Sequence, residues 1–195
     1  MAEFATSDPQ TAVDELFALY QAHGHDDYIG EPVSQLEHMY QAAQLAEAAG
    51  ADDEVVLAAF FHDLGHLCAA HTAPSMAGFG VVDHEQLGAD YLRARGFSAR
   101  LARLVQSHVQ AKRYLTYKYP SYLQQLSPAS RATLAFQGGV MSAAEAEAFE
   151  QDPDAELILQ LRQWDEQAKE ANQPVGSLGH LRERALRHLQ AQAGA

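Results

Sequence analysis

The chain has 195 residues, of which 47% are hydrophobic and 20% are charged, and its formal net charge at pH 7 is −13. This length and composition predict one sizeable domain that spans residues 1–195. The charge argues against nucleic acid and against an anionic membrane surface as partners, whereas a small anionic molecule can still bind where positive side chains are local.

The N-terminal segment shows neither the basic nor the apolar region of a signal peptide. No apolar run approaches the roughly 18 residues that a membrane-spanning helix needs. The single cysteine, Cys68, excludes an internal disulfide and fits a reducing compartment. We therefore expect a cytoplasmic protein that does not enter a membrane, and no pattern indicates its oligomeric state.

Helical periodicity extends over nearly the whole chain, and no stretch alternates as a strand. The apolar helix that begins at Asp52–Asp53 is predicted to end around Gly65. The other predicted helices start at Ser7–Asp8–Pro9, Ser34 with Glu37, Glu85, Ser98, Ser127–Pro128, Ser142 with Glu145, Asp152–Pro153 and Ser177. The prediction is an all-α bundle of roughly eight helices. Residues 67–83 form the longest loop, and a loop of that length often serves as a lid or a binding loop.

The stretch FFHDLGHLC, residues 60–68, places three ionisable side chains at the end of an apolar helix. His62, Asp63 and His66 are costly to bury unless something pairs with them. They are therefore either polar core residues with protein partners or residues that hold a cation.

Four histidines and two aspartates from five segments form a candidate metal site without thiolate, which suits iron, manganese or zinc. Asp63 has two oxygens and could bridge two ions about 3.5–4 Å apart. The six candidates are His38, His62, Asp63, His84, His108 and Asp165. Taken singly, each histidine is more often a surface or core residue than a ligand, so the prediction depends on the joint pattern. His38, His62, Asp63 and Asp165 would hold one ion, and His84, His108 and the second Asp63 oxygen would hold the other.

The order of these residues matches the H…HD…H…H…D arrangement of HD-domain proteins with two metals. The surrounding segments are YIGEPVSQLEH (28–38), HDLGH (62–66), HEQLGADYL (84–92), HVQAKRYL (108–115) and RQWDE (162–166). Over roughly residues 26–170 the chain resembles those HD-domain mixed-valent diiron oxygenases that cleave carbon–phosphorus bonds. An all-α HD domain around a dinuclear site is the fold that this resemblance implies.

The resemblance implies an Fe(II)/Fe(III) pair as cofactor and O2 as co-substrate. The implied substrate is a small anionic organophosphonate, 1-hydroxy-2-aminoethylphosphonate or its N-trimethyl form, which yields phosphate and glycine or glycine betaine. The amine would meet a pocket wall that includes residues 67–83. Further residues match the family's substrate-binding and gating positions: His66, Lys112, Ser130 and Arg162 for substrate, and Tyr28 and Glu31 for a gate in which the glutamate holds the tyrosine at the iron.

Alternatives remain at the level of single residues and of the whole protein. Lys112 and Arg162 could lie on a solvated helix face, and Tyr28 could be a packed aromatic beside a helix-entry charge at Glu31. If the helix continued through Gly65, His66 would lie one turn after His62. The alternative functions are a metal-dependent HD phosphohydrolase acting on a nucleotide or phosphomonoester, a cyclitol oxygenase, and a ligand-sensing module without turnover.

Overall fold

A computed structural model describes residues 8–69 and 73–194 of the chain. Within these residues the chain forms eleven helices and two isolated antiparallel bridges, Asp27–Ser34 and Ser75–Val81, so the all-α prediction is confirmed. The helices are α1 (Pro9–His23), α2 (Gln35–Ala48), α3 (Asp53–Phe61), α4 (Leu64–Cys68), α5 (His84–Ala94), α6 (Ala99–Lys118), α7 (Tyr122–Gln125), α8 (Pro128–Leu134), α9 (Ala143–Glu150), α10 (Ala155–Gln167) and α11 (Gly179–Ala193). None of the described helices is both long enough and apolar enough to span a membrane.

The apolar helix ends earlier than predicted, at Phe61 instead of around Gly65. At Asp63 the backbone leaves the helical region, with φ −102° and ψ 12°, and the short helix α4 starts at the next residue. Gly65 packs so tightly against the start of α5 that a β-carbon there would lie 1.8 Å from the carbonyl oxygen of His84. The expected helical relation between His62 and His66 is therefore wrong, because a turn separates them.

Two other segments differ from their predictions. Helix α10 begins at Ala155, later than predicted. The carboxylates of Asp152 and Asp154 pair with Arg103, and Asp152 Oδ1 also accepts the backbone N–H of Asp154 at 2.8 Å. The predicted loop of residues 67–83 begins with the end of α4, and its residues 70–72 lie outside the described part of the chain. Residues 73–83 form turns, which are closed by hydrogen bonds from Met76 N–H to Gly80 O and from Val82 N–H to Pro74 O.

Helix α3 forms the centre of the core, since residues 55–61 are all buried and the helix packs against α2, α6, α10 and α11. The ring of Phe60 stacks on that of Tyr20 with a centroid distance of 4.5 Å. The Tyr20 hydroxyl donates to the Phe60 carbonyl at 3.0 Å. Because burial holds α3 on all sides, the turn that follows it is fixed in the interior, where α2, α6 and α10 converge.

Candidate metal centre and substrate pocket

The six predicted metal ligands lie together in the interior, and none is more than 3% exposed. They come from α2 (His38), the turn after α3 (His62 and Asp63), the start of α5 (His84), α6 (His108) and α10 (Asp165). Their donor atoms form two groups, and within each group the atoms lie within 4.8 Å of one another. We call His38, His62 and Asp165 the closed half, and His84 and His108 with the Oδ1 atom of Asp63 the open half.

Each of the four imidazoles is oriented by a hydrogen bond from its Nδ1 atom to a backbone carbonyl. In the closed half, His38 donates to Ala168 O and His62 donates to Ala59 O, both at 2.8 Å. In the open half, the acceptors are Val81 O at 3.3 Å for His84 and Val105 O at 2.7 Å for His108. A carbonyl only accepts, so Nδ1 carries the proton and a neutral ring leaves its Nε2 lone pair free for a metal.

These free nitrogens face each other at distances that need a cation. The Nε2 atoms of His38 and His62 lie 2.9 Å apart, and those of His84 and His108 lie 3.1 Å apart. Two lone pairs at that separation repel unless a proton or a metal ion lies between them. The donor set, four imidazoles and two carboxylates, therefore fits two ions of the iron, manganese or zinc type.

Asp63 is the residue that joins the two halves. Its Oδ2 atom lies 3.5 Å from His38 Nε2 and 3.4 Å from His62 Nε2, in the closed half. Its Oδ1 atom lies 3.2 Å from His84 Nε2 and 3.5 Å from His108 Nε2, in the open half. This placement is the geometry that a bridging carboxylate requires.

The charges of the carboxylates suit cation binding. Burial by itself would raise the pKa of Asp63, but the surrounding imidazoles, beginning with His62, hold that pKa well below its usual range. Asp165 is likewise buried, and the guanidinium of Arg162 holds its pKa well below the usual range. Both aspartates are therefore ionised candidate ligands at neutral pH.

A pocket reaches the two halves unequally. Its wall includes Asp63, His84 and His108 and, from the closed half, Asp165, but neither His38 nor His62. The same pocket is lined by all four predicted substrate-binding residues and by both predicted gating residues: His66, Lys112, Ser130, Arg162, Tyr28 and Glu31. Met76, Phe79 and Gly80 of the 73–83 turns form another part of the wall.

Comparison with known proteins agrees with the architecture of this site. The sequence profile of the HD domain matches residues 36–136. The chain is 34% identical over 183 residues to the 1-hydroxy-2-(trimethylamino)ethylphosphonate dioxygenase (glycine-betaine-forming) of Leisingera caerulea, covering 94% of this chain and 93% of the relative. It is 40% identical over 162 residues to the hydroxymethylphosphonate dioxygenase of Gimesia maris, covering 83% of this chain and 80% of the relative.

This chain belongs to the HD-domain oxygenase family. A further relative, the uncharacterized protein L432 of Acanthamoeba polyphaga mimivirus, is 42% identical over 178 residues, covering 91% of this chain and 81% of the relative. Its name assigns no activity, whereas the other two relatives are both named as dioxygenases. The chain is accordingly an oxygenase.

Arg162 and Lys112 of the oxygenase pocket are both only 4% exposed, so the alternative of a solvated helix face is wrong for both. Arg162 forms an ion pair with Asp165. Its Nε donates to Glu166 Oε1 at 2.9 Å and to the Tyr122 hydroxyl at 3.1 Å, whereas its buried Nη2 has no hydrogen-bond partner. Although Nη2 lies 2.9 Å from Glu166 Oε1, the angle does not suit a hydrogen bond. A buried cation with a spare donor on a pocket wall suits an anionic ligand.

Lys112 lies across the same pocket on α6. Its Nζ atom donates to Thr133 Oγ1 at 3.0 Å and approaches the carbonyl of Ser130 at 3.4 Å. Burial and then the nearby charge of Arg162 lower the pKa of Lys112 to about 7. Arg162 and the protonated form of Lys112 are thus held close together in an acidic protein, which concentrates positive potential where an anion can enter.

His66 is also equipped as a donor. The backbone N–H of Val81 donates to its Nδ1 at 3.1 Å, so a neutral His66 must carry its proton on Nε2. Burial and the neighbouring His84 lower the pKa of His66 to about 3, which keeps the ring neutral. The ring stacks on that of His84 at 4.1 Å, next to the open half.

The predicted gating pair lies over the closed half. The Tyr28 ring stacks on the His38 ring at 4.2 Å and 13°, and burial followed by the charge of Asp63 raises the pKa of its hydroxyl well above the usual value. The carboxylate of Glu31 does not hold this hydroxyl among the described contacts. Its Oε1 accepts from Lys169 Nζ at 2.7 Å and from Ser127 Oγ at 2.5 Å, while its backbone N–H donates to Tyr28 O at 2.9 Å.

Sequence reasoning missed several residues that line the pocket or contact its charged side chains. Thr133 and Ser130 both accept hydrogen bonds from the ammonium of Lys112, and the Tyr122 hydroxyl accepts one from Arg162. Gln35 lies on the pocket wall and has a buried Oε1 atom without a hydrogen-bond partner. Lys169 follows Asp165 by four residues, a spacing that could have drawn attention to it. The others carried no signal, because single threonine, tyrosine and glutamine residues occur in many helices without a functional role.

Proposed function

We propose that this chain uses O2 to cleave the carbon–phosphorus bond of a small 1-hydroxyphosphonate. The proposed substrate is 1-hydroxy-2-aminoethylphosphonate or its N-trimethyl form, with phosphate and glycine or glycine betaine as products. Substrate and O2 together contain all the atoms of the products, since the carboxylate and the phosphate each gain one oxygen. The observation that carries the proposal is that the open half shares a pocket with two buried cations, Arg162 and Lys112.

Two iron ions are the proposed cofactor, as a Fe(II)/Fe(III) pair held by the six buried donors. The open half offers two histidines and one carboxylate, the set that is typical of non-haem iron oxygenases. Bound there, the iron pair would supply O2 activation and a positive site for the oxygens of the substrate.

The protein's own contribution is to bind and orient the phosphonate. Arg162 offers its Nη2, which has no hydrogen-bond partner, and Lys112 offers its ammonium to the phosphonate oxygens, while His66 adds the proton on Nε2. Ser130 lies on the same wall and presents its hydroxyl. Tyr28 covers the closed half and excludes water from His38 until substrate enters. These residues would hold the C1 carbon next to the open half.

Localisation and partners follow from the same chemistry. An enzyme with ferrous iron and a lone cysteine suits the reducing cytoplasm. Its partner is a small anion, for which a protein of net charge −13 needs the local positive potential of the pocket.

The test is a substrate screen of iron-loaded protein in the presence and absence of O2. The screen contains the 2-amino and 2-trimethylammonio hydroxyphosphonates, hydroxymethylphosphonate, and a phosphomonoester. We expect phosphate release from a hydroxyphosphonate, with matching O2 consumption, only under air. Lys112→Met should lose most of this activity, and Lys118→Met, a change at an exposed lysine of the same helix, should retain it. Phosphate release from the phosphomonoester without O2 would instead support the HD phosphohydrolase.

A further inference from the structure

A shielded ion pair connects the segment before α2 to the residues just after α10. Lys169 Nζ lies 2.7 Å from Glu31 Oε1, and the two side chains are only 14% and 8% exposed. The same oxygen accepts from the hydroxyl of Ser127, which is the N-cap of α8. Charges this shielded are costly to bury singly, so removing one partner leaves the other uncompensated.

The segment that carries Glu31 is a turn without helical or strand structure of its own. Its backbone bonds run from Tyr28 N–H to Val33 O at 3.1 Å and from Glu31 N–H to Tyr28 O at 2.9 Å, and Gly30 supplies a φ of +87°. Ladder hydrogen bonds to a neighbouring element are therefore few, and side chains must hold the turn in place.

Lys169 contacts both ends of this turn. Besides its pair with Glu31, its Nζ atom lies 5.7 Å from the centroid of the Tyr28 ring, within the range of a cation–π contact. On its other side, the preceding residue, Ala168, accepts the Nδ1 proton of His38. One short stretch of chain thus orients a candidate metal ligand and also holds the turn that covers it.

We infer that Lys169 is a positioning residue, which holds the Tyr28–Glu31 turn over the closed half by pairing with Glu31. It touches neither the candidate ligand atoms nor the substrate-binding atoms of Lys112 and Arg162 in any described contact. Its positive charge nevertheless reaches the pocket, where it is among the groups that lower the pKa of Lys112.

A consequence for substrate selection rests on the proposed function. With Lys169 in place, Glu31 is neutralised and the pocket does not repel a phosphonate. Without Lys169, an unpaired carboxylate would face the incoming anion, and a substrate that carries its own ammonium could compensate that charge. Loss of Lys169 should therefore lower kcat/KM more for hydroxymethylphosphonate, which has no amine, than for 1-hydroxy-2-aminoethylphosphonate.

The first test needs neither metal nor turnover. Hydrogen exchange of metal-free protein should show the Tyr28 and Glu31 amides exchanging at least about tenfold faster in Lys169→Met than in the parent. Lys169→Arg should restore slow exchange. The matched control is Lys118→Met, which breaks an exposed pair with Glu150 and should leave residues 26–33 unchanged. If Lys169→Met does not fold, Lys169→Gln, which keeps a polar side chain, takes its place.

Unchanged exchange of residues 26–33 in the Lys169 variant would overturn the positioning role. In the second test, kcat/KM is measured for both phosphonates in the parent and in the Lys169 variant. We expect kcat/KM for the amino substrate divided by kcat/KM for hydroxymethylphosphonate to be about tenfold higher in the variant, largely through KM. A constant ratio in an active variant would overturn the selectivity argument. If the parent turns over neither phosphonate, the proposed function fails, while the exchange result still decides the positioning role.

Discussion

The two halves of the candidate metal centre are built from the same donor types but differ in how they meet solvent. In the closed half, the imidazoles of His38 and His62 do not line the pocket, and the ring of Tyr28 lies over His38. In the open half, His84 and His108 both line the pocket beside Lys112. The two halves therefore differ less in their candidate ligands than in what covers them. An ion in the closed half would have no open position for substrate while Tyr28 lies over His38.

The halves also differ in how firmly they are held. Both Nδ1 bonds of the closed half are 2.8 Å long, and Arg162 further orients Asp165. The open half has one short bond, at His108, and one of 3.3 Å from His84 to the carbonyl of Val81, in the 73–83 turns. The open half is thus partly attached to a segment that also forms the pocket wall.

The largest expected effect comes from removing the residue that the halves share. With two iron ions as the proposed cofactor, Asp63→Ala should bring the iron content from about two ions per chain to background, because one carboxylate would serve both sites. His38→Ala should remove mainly the closed-half ion. Elemental analysis of reconstituted protein measures both changes, with Asp90→Ala, at an exposed carboxylate on α5, as the control. A normal dinuclear centre in Asp63→Ala would contradict the bridge.

Variants of Arg162 and Lys112 allow anion binding to be measured separately from metal binding. Lys112→Met should weaken phosphonate binding tenfold or more, since a charge-assisted hydrogen bond contributes about 1.5–3 kcal/mol, and the iron content should stay normal. Arg162→Ala should weaken binding as much and also lower iron occupancy, because Arg162 supports Asp165. Titration calorimetry and iron analysis give the two readouts. Full substrate affinity in both variants would place the phosphonate site elsewhere.

The pH dependence of substrate affinity should depend on Lys112. Its pKa lies at about 7, so the side chain is charged below that pH and loses its charge above it. Affinity for the phosphonate should therefore fall by about three- to tenfold between pH 6 and roughly pH 8.5. The ionisation of the substrate itself is common to parent and Lys112→Met, so the difference between their pH profiles isolates Lys112. Parallel profiles would exclude this role.

The smallest expected effect concerns the cover of the closed half. A tyrosine near ferric iron gives a visible charge-transfer band, which should be absent in iron-loaded, oxidised Tyr28→Phe. Substrate should still bind, because the open half and Lys112 are untouched, with an affinity within about threefold of the parent. Stopped-flow absorption with and without substrate measures both properties. An unchanged spectrum would make Tyr28 a packed aromatic only.

The sequence by itself determined the helical class and the identity of the chemistry-bearing residues. Caps such as Ser34 with Glu37 mark helix starts locally, and the capping box is present in the structure. The candidate ligands were recognisable because the order of these histidines and aspartates along the chain matches the H…HD…H…H…D arrangement of HD-domain proteins. Helix caps are encoded within a few residues, and the order of the candidate ligands is read along the chain, so neither feature needs tertiary information.

The tertiary structure alone decided how those residues share space. The turn at Asp63 replaces the predicted helix because Gly65 packs against α5, a contact between segments about twenty residues apart. The burial of Lys112 and Arg162, which local periodicity leaves open, follows from α6, α8 and α10 closing on one pocket. The partner of Glu31 is Lys169, more than one hundred residues away, because pairing of buried charges is fixed by packing and not by sequence proximity.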